Sequence, residues 1–270
     1  MSQTVNQDTE SNPEYPIIFI SDVHIGAFPK DKEHEIERDL LDLVDFAENN
    51  GYAICVLGDL FDYWMEYPNK RPAIGSRILE RFALFNKKNG NSLYITGNHD
   101  NWVYNYFEDK CGFDLEHEYR IIKLEENSVL LLHGDGVDDE LLELPRPYFH
   151  RLLRNPKFVF IFRHVLPPSL GITVTKWFSR LSRTVDQKGE KECTQEIDQW
   201  AKQMLREQKF DVIICGHHHY PRFININSGL YINLGNFFND RTFAVYNNDG
   251  FQLVKWQNLN KNIERLYPHS

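Results

Sequence analysis

Five apolar runs rich in Ile, Val, Leu and aromatic residues punctuate the chain, at residues 16–21, 52–57, 92–96, 128–132 and 210–215. Each is too short for a helix and dense in strand-forming side chains, so each reads as a buried strand. Between the first of them, apolar residues return every three or four positions. Ile36, Leu40, Leu43, Val44 and Ala47 share one face, as do Ile78, Phe82 and Phe85. That spacing predicts helices laying an apolar stripe on a sheet, ended by Gly51 and Gly90. Strand and helix alternate through this half, which predicts βαβ units and a parallel sheet. From 222 to 256, β-prone runs are separated by Asn227-Ser228-Gly229 and Asn247-Asn248-Asp249-Gly250, which predicts antiparallel hairpins.

Residues 158–181 follow neither pattern. They are apolar enough to suggest a membrane span, but Arg163, His164, Pro167-Pro168, Lys176 and Arg180 interrupt them before the ~20 apolar residues a crossing needs. Two short amphipathic helices with exposed aromatics and cations, hinged at Pro167-Pro168, are expected instead. Charge sharpens the contrast. Residues 145–188 hold nine Lys or Arg and one acid, a local charge of +8 in a chain of net charge −9, which leaves −17 for the rest. The expected organisation is one domain over residues 15–270, carrying a cationic helical lobe at about 137–190. Residues 1–14 are polar, without the basic start and apolar core of a targeting peptide, and read as a tail. Cys55, Cys111, Cys193 and Cys215 form no C-x-x-C pair, and two lie in strand-like runs, as befits buried free thiols in a reducing cytoplasm.

The candidate chemistry lies where the strands end. Asp22-Val23-His24 follows the first run, Gly58-Asp59-Leu60-Phe61-Asp62 the second, Gly97-Asn98-His99-Asp100 the third, His133-Gly134-Asp135 the fourth and Gly216-His217-His218-His219 the fifth. In a parallel sheet the carboxyl ends of the strands share one edge, where ligands bind. Any one of these clusters alone is as readily a turn or a helix cap; five in matching positions make that coincidence large. Imidazole, carboxylate and amide donors without thiolate suit Mn, Fe, Zn or Co. Two such ions about 3.5–4 Å apart can activate a hydroxide and neutralise phosphate charge during in-line displacement.

Taken together, these five motifs resemble the calcineurin-like metallophosphoesterase superfamily. The resemblance implies an α/β fold, a four-layer αββα sandwich, and two divalent metal ions, most readily Mn, bridged by Asp59. One ion would take Asp22, His24, Asp59 and His219; the other would take Asp59, Asn98, His133 and His217. His99 would face the substrate as phosphoryl stabiliser or proton donor, with Asp100 orienting its ring. Asp62 would either hold a ligating histidine or cap a helix, and His218 would point away.

Within the superfamily the chain is most similar to the UDP-2,3-diacylglucosamine hydrolases of lipid A synthesis, through Gly58-Asp59-Leu60-Phe61-Asp62-Tyr63-Trp64, Asp138-Asp139 after the fourth motif, and the basic aromatic insertion. The similarity implies a nucleotide-linked acyl-sugar lipid as substrate, with Tyr148, Arg154, Arg183 and Lys188 facing it. It also implies a membrane surface met through the lobe, with Phe158, Phe160, Phe162, Trp177 and Phe178 beside acyl chains. His99 stands where that group has Arg, Asp62 where it has Glu, and His218 where it has Thr. A phosphatase or phosphodiesterase for soluble nucleotides or phosphoproteins is the alternative. Nucleic acid is disfavoured by an acidic body without a basic, aromatic stripe. A non-catalytic scaffold is disfavoured because His24, His99, His133, His217 and His219 are all present.

Overall fold

A computed structural model describes residues 16–67 and 70–268, with the side chains of residues 149, 178 and 180–194 outside that description. The tail assigned to residues 1–14 likewise lies outside the described residues. The chain runs through β1 (Ile17–Ile20), α1 (Lys30–Asn50), β2 (Ala53–Leu57), α2 (Ser76–Asn89), β3 (Leu93–Ile95), α3 (Tyr106–Asp109), β4 (Asp114–Glu116), β5 (Tyr119–Leu124) and β6 (Asn127–Leu132). Three consecutive helices follow, α4 (Tyr148–Arg154), α5 (Pro156–Val165) and α6 (Pro168–Arg206). The chain ends with β7 (Val212–Cys215), β8 (Pro221–Ile226), β9 (Gly229–Leu234), β10 (Thr242–Asn247), β11 (Gly250–Gln257) and β12 (Asn262–Tyr267).

All five apolar runs are strands, but they are shared between two sheets. The first has the order β12-β11-β10-β1-β2-β3-β4, and the second β5-β6-β7-β9-β8. In the first, β1, β2, β3 and β4 are parallel. In the second, β6, β7 and β9 are parallel, with β5 and β8 antiparallel at its edges. The expected hairpins form at the expected turns, β8 with β9 and β10 with β11, one in each sheet.

The two-residue period of the strands sorts their side chains into layers. Phe19, Leu57 and Ile95 point inward and meet Leu131, Ile214 and Ile232 of the other sheet. Ile18, Ile20, Val56 and Tyr94 face outward onto the buried stripes of α1 and α2. Leu130, Leu132 and Ile213 face outward onto Ile197, Trp200, Ala201 and Met204 of α6. The result is the four-layer αββα arrangement. Each fully buried Leu, Ile or Phe contributes roughly 1.5–3 kcal/mol to holding these layers together. Gly51 caps α1 in the left-handed conformation, with its N–H donating to Ala47 O, and Lys87 and Lys88 sit favourably in the last turn of α2.

The basic segment differs from the expected pair of short helices. The break falls between Val165 and Pro168 as the prolines require, but α6 then continues for 39 residues. The reason is apolar spacing beyond the cationic stretch. Ile197, Trp200, Ala201, Met204 and Leu205 recur at helical intervals and bury against the second sheet, so the same helix that starts beside the site ends in the outer layer.

Candidate metal centre

The carboxyl ends of β1, β2 and β3 meet those of β6 and β7 along one edge of the sandwich. The backbone is forced hard there. Asp22, His24, Asp59, His217 and His219 all adopt positive φ, between 52° and 70°. That left-handed conformation is costly for side chains other than Gly and persists only where the surroundings impose it. Close packing is the second constraint. A Cβ on Gly97 would collide with Asp59 Oδ1, and one on Gly216 with Ser21 Oγ and Asp22 Oδ2.

These turns aim donor atoms at a common centre. Asp22, His24 and His219 offer ligand atoms within 4.8 Å of one another, and so do Asp59, His133 and His217. Asp59 stands between the two groups: its Oδ2 lies 3.7 Å from His24 Nε2 and 3.4 Å from His133 Nε2. Its Oδ1 accepts the His99 backbone N–H at 3.0 Å. His133 donates from Nδ1 to Leu57 O at 2.8 Å, which leaves Nε2 facing the centre, 3.1 Å from Asn98 Oδ1. Asp22 Oδ2 is held by Ser21 Oγ and by the His217 N–H, whereas Oδ1 is buried and accepts no hydrogen bond. A buried, unsatisfied carboxylate oxygen 3.3 Å from His219 Nε2 is what a cation would relieve. The donor set fits a divalent metal.

The calcineurin-like phosphoesterase profile matches residues 15–221. The chain belongs to that family. Among relatives, a UDP-2,3-diacylglucosamine hydrolase of Porphyromonas gingivalis is 29% identical over 56% of this chain and 57% of its own length. One of Pseudomonas putida is 28% identical over 76% of this chain and 82% of its own. Among solved structures, the E. coli phosphoesterase Yfce aligns over 93% of this chain and 98% of its own, with 15% identity and a TM-score of 0.47. The phosphoesterase is thus a metal-dependent hydrolase, and the clustered histidines and carboxylates at the strand ends are groups that could hold its metal.

Charge at this edge is balanced internally. Burial alone would raise the Asp22 carboxyl, but the His219 and His24 imidazoles beside it outweigh that and hold Asp22 well below its usual range. Asp59 is lowered too: burial opposes, and the His133 and His99 charges prevail. Burial would lower His24 and His133, yet their carboxylate neighbours raise both to about 10. His217 goes the other way, lowered by burial and by the neighbouring His218 and His133, which keeps it neutral as a ligand must be.

Asp100 is placed differently from the expectation. Its Oδ1 accepts from Gly97 N at 2.8 Å and its Oδ2 from Tyr94 OH at 2.6 Å, so it braces the turn carrying Asn98 rather than the His99 ring. The His99 ring is oriented by the Asp62 carbonyl, which accepts from Nδ1 at 2.7 Å. The Asp62 carboxylate lies 3.7 Å from His24 Nδ1 and accepts from Ser179 Oγ at 2.7 Å, so it neighbours a candidate ligand. His218 is buried and belongs to none of the ligand groups.

The substrate-facing candidates separate. Tyr148 is 83% exposed. Arg154 is buried and committed within the fold, because Asp135, Thr96 and His117 take up its guanidinium. The side chains of Arg183 and Lys188 lie outside the described residues. Two residues of the helical segment join the site without having been anticipated from the sequence. His150 stacks edge-on to His217, with centroids 6.3 Å apart, and lines a cavity of about 50 Å³ with Asn98, His99 and Trp102. Ser179 reaches Asp62 from α6. His150 could have been found as the i−4 neighbour of Arg154 on one helix face; nothing marks a lone Ser.

Proposed function

We propose that the chain is a dinuclear pyrophosphohydrolase that cleaves UDP-2,3-diacylglucosamine to UMP and 2,3-diacylglucosamine 1-phosphate. The observation that carries the dinuclear reading is the position of Asp59 Oδ2 between His24 and His133, each belonging to a different ligand trio. Asp22, His24, Asp59 and His219 would hold one ion, and Asp59, Asn98, His133 and His217 the other. The ions, most readily Mn and with Fe, Zn or Co also suited to these donors, would supply nucleophile activation and charge neutralisation at phosphorus. With Nδ1 tied to the Asp62 carbonyl, His99 presents Nε2 for proton delivery to the leaving oxygen. His150 and Asn98 line the same cavity as His99.

The lipid assignment rests on the relatives' activity and on the surface of the helical segment. Phe160, Ile161, Val165, Leu170 and Trp177 are all exposed on α5 and α6, while no described helix is long and apolar enough to cross a membrane. An apolar face flanked by Lys157 and Lys176 suits acyl chains at an anionic surface, with the segment as a substrate lobe and the protein peripheral on the cytoplasmic face. Phe158 and Phe162 instead pack against Trp102, fixing the segment to the body. The test is turnover of UDP-2,3-diacylglucosamine in detergent micelles with Mn. UMP release at a kcat/KM well above that for soluble phosphodiesters is expected; a preference for the soluble esters would replace this reading with the alternative.

A further inference from the structure

The Arg154 guanidinium lies where two ligand-bearing turns come closest. Its Nη2 donates to Asp135 Oδ1 at 3.2 Å and Oδ2 at 3.1 Å, and to Thr96 O at 3.0 Å. Its Nη1 donates to Thr96 Oγ1 at 3.1 Å and His117 O at 2.6 Å. Thr96 directly precedes Gly97-Asn98 at the end of β3 in the first sheet. Asp135 directly follows His133-Gly134 at the end of β6 in the second. These two strands share no sheet, so no strand-to-strand ladder fixes their ends relative to each other. A planar fork with five donors can span such a gap where a point charge cannot.

We infer that Arg154 is a positioning residue for one half of the metal centre, locking the turn that carries Asn98 to the turn that carries His133 and thereby setting the separation of those two ligands. A second arginine completes the bracket: Arg146, also buried, donates to Gly136 O at 2.7 Å and approaches Asp135 Oδ2 to 3.6 Å. The other half of the centre is anchored mainly elsewhere. Asp22 and His24 are tied through Ser21 and the Gly58 and Asp59 carbonyls, and the turn that carries His219 meets the bracketed turns through the Gly216 N–H, which donates to His133 O at 2.8 Å. The consequence is asymmetric: through its arginines the helical segment assembles one metal position, whereas it reaches the other only at a remove, through Ser179 and the Asp62 carboxylate beside His24.

The inference rests on the dinuclear reading for its metal arm only. Arg154→Met and Arg154→Lys would be compared with wild type and with Arg81→Met, which removes a half-buried arginine's ion pairs to Asp45 and Glu48 between α1 and α2, away from the site. Calorimetric titration of metal-free protein with Mn reads the metal arm. Arg154→Met is expected to weaken one of two ions by about 10- to 100-fold and leave the other near its wild-type affinity. Arg154→Lys should fall between, and Arg81→Met should keep both. Equal weakening of both ions, or of neither, overturns the inference. Hydrogen exchange on the metal-loaded enzymes reads the same bracket whatever the stoichiometry. Residues 97–99 and 134–136 should exchange faster in Arg154→Met, with 216–219 unchanged. If wild type binds a single ion while exchange behaves so, the dinuclear reading falls and the role of Arg154 stands; uniform exchange across the three turns sinks the role itself.

Discussion

At the metal edge, Asp22 and Asp59 are buried with carboxylate oxygens turned toward a common centre, and Asp22 Oδ1 is left without a hydrogen-bond donor. In the helical segment beside it, the cations are turned onto the body: Arg146 and Arg154 are surrounded by Glu118, Asp135 and main-chain carbonyls, and Arg163 donates to Trp102 O and Val103 O, with Arg146 Nε and Arg163 Nε left without an acceptor. The first region keeps charge available for an external cation. The second spends its cations on joining helices to the body, so a local charge of +8 overstates what an anionic ligand would meet. Segregated charge in a sequence thus indicates where a structure is tied down as much as where it binds, and burial decides between the two.

Substitutions can break this contrast from either side. The largest effect is expected from Asp59→Ala, which removes the oxygen between the two trios; kcat/KM should fall on the order of 10³-fold or more, with metal content per chain reduced in elemental analysis. Retained activity would mean that Asp59 bridges nothing. His99→Ala should keep the metals and lower kcat by about 10²–10⁴-fold, and a pH–rate profile unchanged in shape would remove it from proton transfer. On the helical side, replacing Phe160 and Trp177 together by Ser should raise KM for a micellar lipid by about tenfold while a soluble chromogenic ester is hydrolysed at the wild-type rate. Equal effects on both substrates would detach this surface from lipid.

The smallest effect is one of pH. In the metal-free protein His24 and His133 are raised to about 10 by Asp22, Asp59 and their neighbours. Groups raised above their unfolded value of about 6.5 stabilise the fold fully below that pH and lose the contribution as pH climbs through 10. A divalent ion competes with those same protons, so the melting-temperature gain on adding Mn should grow between pH 6 and pH 9. A gain that is flat across that range would place the ions elsewhere.

Much of the edge was legible in the chain itself. The five strands, the helices stopped at Gly51 and Gly90, and the hairpins all follow from periodicity and turn residues, which are local properties. The sharing of strands between two sheets was not legible, because Phe19 and Leu131 look alike in sequence and only packing sends them to one interior from opposite sides. The trios that could hold a metal were readable because such a centre constrains residue type. Asp100 and Arg154 were not placed correctly for the converse reason. A carboxylate next to His99 and an arginine in a basic tract each have several ways to be satisfied, and Tyr94 and Asp135 supplied the ones that won. The length of α6 was not legible in the charge pattern, because the run of cations ends at Lys188 while the apolar spacing goes on to Leu205.

The left-handed backbone at Asp22, His24, Asp59, His217 and His219 also bears on how this protein can change over time. Only small or short polar side chains tolerate that conformation cheaply, and branched ones do not. A lineage that abandoned metal chemistry would therefore drift at these five positions toward Asn or Gly, not toward Val or Ile. The mark of a former hydrolase would be a row of turn-forming residues where ligands once stood, readable long after the activity had gone.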